Sequence, residues 1–227
     1  MATVKNTSKK STTKTKKATR DAIVSAYMDY VLMTETYPKS VYKFCKEHKF
    51  EEQEFYEHFA SFKNLETSIW SDFYSLTITL LHKSEDYQQY ANREKLLTFY
   101  YTFFEMLTAN RSYVLMVLSK YEMPLKNLEQ LKQLRQDVKE FAKGLISDAN
   151  EGKKKKALQK NEMVFSEATW VQLLFLMKFW KEDNSPGFEK TDMAIEKSVN
   201  TVFDVFDNTP LESIIDLGKF LWQNKPA

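Results

Sequence analysis

Apolar residues recur at intervals of three and four along most of the chain, which is the spacing of one helix face. No stretch alternates apolar and polar residues as a half-buried strand would. Ile23, Ala26, Tyr27, Tyr30 and Val31 predict a first helix over about Arg20–Thr36, with Thr19 as its N-cap, Asp21 in its first turn and Pro38 closing the segment. Val41, Phe44 and Cys45 predict a short helix over about 40–48. After a break at Phe50, Phe55, Tyr56 and Phe59 predict another over about 52–60. Ser61 then caps a longer helix carrying Leu65, Ile69, Trp70, Phe73, Leu76 and Leu80. From Ser84-Glu85-Asp86 a long aromatic helix follows, through Tyr87, Tyr90, Leu97, Tyr100, Tyr101, Phe104 and Leu107.

Asn110-Arg111-Ser112 reads as a turn, and Tyr113–Tyr121 as a short buried helix that Pro124 breaks. Leu128, Leu131, Leu134, Val138, Phe141 and Leu145 form one stripe on a helix of about 125–149. A loop or helix start lies at Asn150-Glu151-Gly152 and Lys153–Lys156. Val164–Trp180 is helical and apolar on most faces, Asn184-Ser185-Pro186-Gly187 is a turn, and Phe188–Phe206 is the next helix. Pro210 opens a last one, about 211–223. The sum is an all-α chain of nine to ten helices without an internal repeat.

Composition agrees. Only four Gly and five Pro interrupt a 227-residue chain, long enough for one large domain or two small ones with a sizeable core. Aromatic residues make up 15%, which points to bulky helix packing or ring-lined pockets. Charge is unevenly placed. Of 33 basic and 31 acidic residues, seven basic and no acidic ones lie in residues 1–20, so the rest of the chain carries a net −5. Residues 1–19 are therefore expected to be a disordered basic arm, too polar to bury a core and lacking the apolar stretch of a secretory signal. A single Cys excludes a disulfide framework and fits a reducing, cytoplasmic setting; Cys45 falls on an apolar helix face and is expected in the core. No run approaches the roughly 18 apolar residues of a membrane span.

The stretch Ser40–Leu65 has the layout of a helix-turn-helix, and it closes Phe55-Tyr56-Glu57-His58-Phe59-Ala60-Ser61-Phe62-Lys63-Asn64-Leu65. This resembles the TetR family of one-component regulators, whose DNA-binding unit commonly ends in a Leu/Phe-Tyr-x-His-Phe-x-Ser-Lys-x-x-Leu pattern. The resemblance implies three helices for DNA over residues 20–64, and a helical ligand-binding and dimerisation domain over 65–227. It implies that Tyr56 and His58 lie near the DNA backbone. Lys39, Lys43 and Lys63 would add charge contacts, as would Lys16, Lys17 and Arg20 from the arm. The chain departs from the pattern in places. Lys49 stands at the usual turn glycine, Phe62 at a usual lysine, and the second helix carries Glu51, Glu52, Glu54 and Glu57 with no Lys or Arg. Four carboxylates oppose insertion into a groove lined by phosphates.

Elsewhere the sequence holds no zinc-protease signature, no phosphate-cradling glycine loop and no nucleophile elbow. His48, His58 and His82 lack the companions a metal site needs. Neither an enzyme nor a cofactor or metal protein is indicated. In the TetR-like arrangement the aromatic helix encloses an apolar cavity, whose candidate lining is Tyr100, Phe103, Phe104, Tyr113, Met116, Phe141 and Trp170. The last long helices pair two subunits, with Trp170, Leu174, Met177, Val199, Val202 and Phe206 as the candidate interface. Two functions follow. The first is a homodimeric transcriptional regulator answering to a small apolar ligand, its DNA contact helped by the basic arm. The alternative is a TetR-shaped lipid or isoprenoid binder that has lost sequence-specific DNA binding. Asn184–Leu221 is loosely similar to the end of the coenzyme Q accessory protein family, and Leu211–Trp222 would then lie at a membrane interface.

Overall fold

In a computed structural model, which describes residues 17–119, 129–150 and 161–208, Thr19 is extended and its hydroxyl accepts a hydrogen bond from the Ala22 amide at 3.2 Å. That cap starts α1, Arg20–Thr34, which buries Ile23, Tyr27 and Val31. Ser40 caps α2, Val41–Glu47, in the same way, and Phe44 and Cys45 are its buried residues. Helix α3, Glu52–His58, begins where the Glu54 carboxylate reaches back to the Glu51 amide at 3.1 Å. An aromatic knot holds the three together. Phe44 and Phe55 meet Phe62 at ring-centroid distances of 5.5 and 5.3 Å, and Tyr27 stacks on Phe62 at 5.6 Å. Phe62, the anomalous residue of the sequence pattern, is thus the ring on which the other helices converge. Two compact units divide between Phe62 and Lys63.

The second unit takes in α4 (Phe62–His82), α5 (Asn92–Ala109), α6 (Arg111–Ser119), α7 (Lys132–Asn150), α8 (Glu162–Glu182) and α9 (Glu189–Asn208). The described residues are helical and contain no strand. Three sequence expectations need correction. The aromatic helix is not continuous from Ser84: Glu85–Gln89 is a short 3-10 turn, Tyr90 and Ala91 are extended, and α5 starts at Asn92. The cause is local. Glu94 accepts the Ala91 amide at 3.0 Å, a cap that stops the helix from running backwards. The second correction is at Asn110-Arg111-Ser112, where Asn110 alone interrupts the chain and α6 begins at Arg111. The third is that Phe188 precedes α9 rather than opening it. Pro124, Leu128, Lys153–Lys156 and the helix expected at 211–223 lie outside the described residues.

Helix α8 is the centre of this unit, packed against α7 and α9, while α5 packs on α7 and α9. Its buried side chains include Phe165, Trp170, Leu173, Leu176 and Trp180. Its buried polar atoms are all accounted for. The Tyr100 hydroxyl of α5 donates to the Thr169 carbonyl at 3.0 Å and lies 3.2 Å from Gln172 Oε1. Gln172 Nε2 in turn donates to Ser198 of α9 at 2.9 Å. This relay ties α5, α8 and α9 in register, because an unpaired amide there would leave its desolvation cost uncompensated. Phe99 stacks on Phe103 at 5.8 Å and on Phe141 at 4.7 Å, with Tyr74 at 6.0 Å. Phe99 and Phe103 are fully buried, and their rings fill the space between α4, α5 and α7.

A filled core and a ligand-sized void respond differently to truncation. Phe99→Ala is expected to lower stability by about 3–5 kcal/mol, the range for deleting a packed ring. Urea unfolding measures it, and a loss under about 1 kcal/mol would show that the ring borders empty space.

Candidate functional sites

The turn between α2 and α3 needs one residue in the left-handed region, and Lys49 supplies it at φ 60°. This is the place where the sequence pattern expects glycine; a side chain is tolerated at a modest conformational cost. His48, half-buried, donates from Nδ1 to the Phe44 carbonyl at 2.9 Å and stacks on Phe50, closing the turn from inside. Cys45 is buried and its thiol is pushed up to about 11, by burial first and then by Glu52, Glu54 and Glu51. It is a core residue with an unreactive thiol.

The acidic face of α3 is occupied from within. Glu57 pairs with Lys17 at 2.6 Å, and the hydrogen bond and charge of Glu57 raise the lysine above its ordinary value. Glu54 accepts the Ala18 amide at 3.2 Å as well as that of Glu51. Lys46 lies 4.0 Å from Glu51. Three of the four carboxylates therefore have partners in their own unit, and two of them hold residues 17–18, the base of the basic arm. Of the sequence-nominated DNA contacts, Lys39, Lys43, Tyr56 and His58 are exposed, Tyr56 by 53%. Arg20 lies over the Phe59 ring at 5.4 Å. Lys63 pairs with Glu129 at 2.7 Å, and Lys16 lies outside the described residues.

The nominated pocket residues differ in burial. Tyr100, Phe103, Tyr113 and Trp170 are buried core, and Met116 and Phe141 are half-buried. Burial holds the Tyr100 hydroxyl well above its ordinary value, so it stays a donor. Phe104 is different: it lines a half-open cleft of about 470 Å³. Tyr101, Phe104, Glu105 and Thr108 of α5 form one wall, and Trp180, Gly187, Phe188, Thr191 and Asp192 the other.

Two polar clusters, neither visible as a motif, build this cleft. The Arg111 guanidinium sits 4.4 Å from both the Trp180 and Phe188 ring centroids. It donates to the carbonyls of Trp180, Lys181 and Asp183 at 3.2 to 3.5 Å, so a cation closes the C-terminal end of α8. Asp183 closes the other side of the turn. Its carboxylate accepts from the Ser185 amide and hydroxyl at 2.8 and 2.7 Å, and from the Thr191 amide and hydroxyl at 2.9 and 2.7 Å. Burial works to raise the Asp183 carboxyl, but the hydrogen bonds from Thr191 and Ser185 outweigh it and leave the group below its ordinary range. Between the clusters, Gly187 and Phe188 both adopt left-handed backbone, at φ 61° and 62°. Glycine is free to do so; the phenylalanine is held there by its contact with Arg111.

On the paired helices, Trp170, Met177 and Val199 are buried within the protomer, and Leu174, Val202 and Phe206 are half-buried. Phe206 packs on Phe165 at 5.1 Å. The exposed apolar positions of α8 are different ones: Val171 is 62% and Phe175 54% exposed, with half-buried Phe179 one turn further on. These sit at i, i+4 and i+8, one position removed from the buried Trp170. No helix among the described residues is long and apolar enough to cross a membrane.

The sequence profile of the family described as "Tetracyclin repressor-like, C-terminal domain" matches residues 95–221, more than half of the chain, starting inside α5. No curated protein matches the chain.

The Asp183 turn makes a pH-dependent contribution. A carboxyl depressed in the folded state stabilises the fold fully above its unfolded value, here 3.8, and loses that contribution as pH falls further. Asp183→Asn is therefore expected to melt below the parent protein at neutral pH, with the gap narrowing progressively under pH 4. Thermal midpoints across pH 2.5–7 test it; a gap independent of pH would mean that the carboxylate's charge contributes nothing.

Proposed function

Since the chain belongs to the tetracycline repressor-like family, we propose that it is a homodimeric transcriptional regulator whose first unit contacts DNA and whose second unit answers to a small molecule. The observation that carries the DNA reading is the state of α3. Three of the four carboxylates there, which oppose a phosphate-lined groove, already have partners in Lys17, the Ala18 amide and Lys46. Tyr56, His58, Lys39 and Lys43 remain exposed to donate to phosphates. Lys5, Lys9, Lys10, Lys14 and Lys16 precede the anchored residues and add a sequence-independent attraction. A ligand switches such a protein only through different affinities for its DNA-bound and free arrangements.

Dimerisation is assigned to the outer face of α8 and α9, where Leu174, Val202 and Phe206 stand with Val171 and Phe175. Trp170, Met177 and Val199 support that face from inside the protomer. A second reading, a lipid-binding protein without operator recognition, is favoured by one feature: α3 still presents Glu52 and carries no Lys or Arg of its own.

Duplex binding separates the two. The full chain is expected to bind duplex with a steep salt dependence. Deleting residues 1–16, which removes five lysines but keeps Lys17 on Glu57, should flatten the log–log slope by up to about 4.5, at roughly 0.9 per lost phosphate contact. A selective footprint on the DNA upstream of its own gene supports the regulator. Absence of any footprint, with lipid co-purifying, supports the second reading.

Assembly is tested on residues that the protomer core does not use. Sedimentation of the parent chain is expected to show a dimer at micromolar concentration. Val171→Glu with Phe175→Glu should give a folded monomer, because surface substitutions of this kind change protomer stability by only about 0.5 kcal/mol each. A parent monomer would refute the dimer, and a variant that stays dimeric would place the interface elsewhere.

A further inference from the structure

We propose that Glu57 is a specificity-determining residue: it holds Lys17, at the base of the basic arm, away from the phosphates of an arbitrary duplex, and so restrains sequence-independent binding. The inference deepens the DNA reading above and rests on it. Three consecutive residues are attached to the first unit where the arm begins. The Lys17 ammonium lies 2.6 Å from a Glu57 carboxylate oxygen. The Ala18 amide donates to Glu54 at 3.2 Å, and Ala18 is buried. The Thr19 hydroxyl caps α1 at the Ala22 amide. The other oxygen of Glu54 accepts the Glu51 amide, so the side chain that holds Ala18 is itself fixed by the first turn of α3. Glu54 and Glu57 stand three apart, on one face of that helix.

An ion pair between two exposed side chains is ordinarily weak, because both flexible chains must be held in one geometry. Here much of that ordering is already done. The next residue after Lys17 has its amide bonded and the one after that caps a helix, so the ammonium starts within reach of Glu57. Phosphate and carboxylate offer an ammonium the same chemistry, anionic oxygens at hydrogen-bond distance. A phosphate that takes Lys17 must displace Glu57. It also leaves that carboxylate bare beside the duplex, on the helix that carries the exposed Tyr56 and His58. The gain is only the difference between two similar pairs. Lys5, Lys9, Lys10, Lys14 and Lys16 all precede these attachments. The arm's attraction to a polyanion then comes from those five, and Lys17, which the family pattern counts with them, is withdrawn. Lowering affinity for the wrong duplex serves selectivity as well as raising it for the right one.

Salt dependence on a duplex of arbitrary sequence tests the latch, since each lysine engaged on phosphate adds about 0.9 to the log–log slope. Full chains carrying Lys17→Gln, Glu57→Gln, both together, or Lys16→Gln are compared with the parent. Glu57→Gln releases Lys17. It is expected to steepen the slope by about 0.9, gaining about eightfold over the parent for each tenfold fall in salt. Lys17→Gln and the double variant are expected to keep the parent slope, and Lys16→Gln to flatten it by up to about 0.9. Lys17→Gln decides the matter even where Glu57→Gln does not fold. If it flattens the slope as much as Lys16→Gln does, phosphate takes Lys17 freely and the proposal is overturned. A Lys16→Gln slope equal to the parent's, or no duplex binding by any of these chains, overturns it too. The selective footprint upstream of the gene is a separate readout. Its absence refutes the regulator and leaves coupled slopes standing, whereas additive slopes refute the latch and leave a footprint standing.

Discussion

The end of α8 is the constraint on which the second unit depends. A buried helix C-terminus leaves carbonyls without partners, and three such carbonyls converge on the Arg111 guanidinium. A lysine cannot do the same work. It offers one point charge, whereas the planar guanidinium donates along its edge while its faces lie against Trp180 and Phe188. Once Arg111 is fixed, the chain must turn within a few residues. Asp183 gathers Ser185 and Thr191, and α9 departs alongside α5. The contact of Arg93 in α5 with Asp204 in α9 at 2.7 Å holds the far end of the same pair. The cleft is what remains between α5 and the start of α9 beside that turn.

Much of the first unit is legible in the sequence because its determinants are local. Thr19 and Ser40 cap the helices they precede, and Phe44 and Phe55 lie on the apolar faces their spacing implies. What the sequence hides there is the destination of the acids. Glu54 and Glu57 look solvated by their neighbours in sequence, yet their partners are residues 17 and 18, more than thirty positions away. Likewise nothing nearby predicts that Phe62 becomes the ring on which Tyr27, Phe44 and Phe55 close.

In the second unit, helices are legible and voids are not. The stripe of Leu131, Leu134, Val138 and Leu145 is buried as its period requires. An aromatic helix, however, announces only that rings will be near rings. Whether they fill space or enclose it depends on Phe141 arriving 4.7 Å from Phe99, a contact set by the packing of α7 and not by any spacing within α5. The cleft pairs Tyr101 and Glu105 with Asp192, some ninety residues on, and its supporting residues, Arg111 and Asp183, sit where the sequence reads only as turn.

The two units use charge in opposite ways. In the first, three carboxylates at α3 meet the chain's own amide and ammonium groups, while Lys39, Lys43 and Tyr56 stay exposed. Glu52 is the exception: it has no such partner and keeps a residual repulsion on α3. In the second unit two carboxylates are left unspent beside a row of rings. Which acids find a partner is thus decided by contacts distant in sequence, Lys17 and Ala18 for α3 and none for Glu105 and Asp192 among the described residues, and not by the composition of either unit.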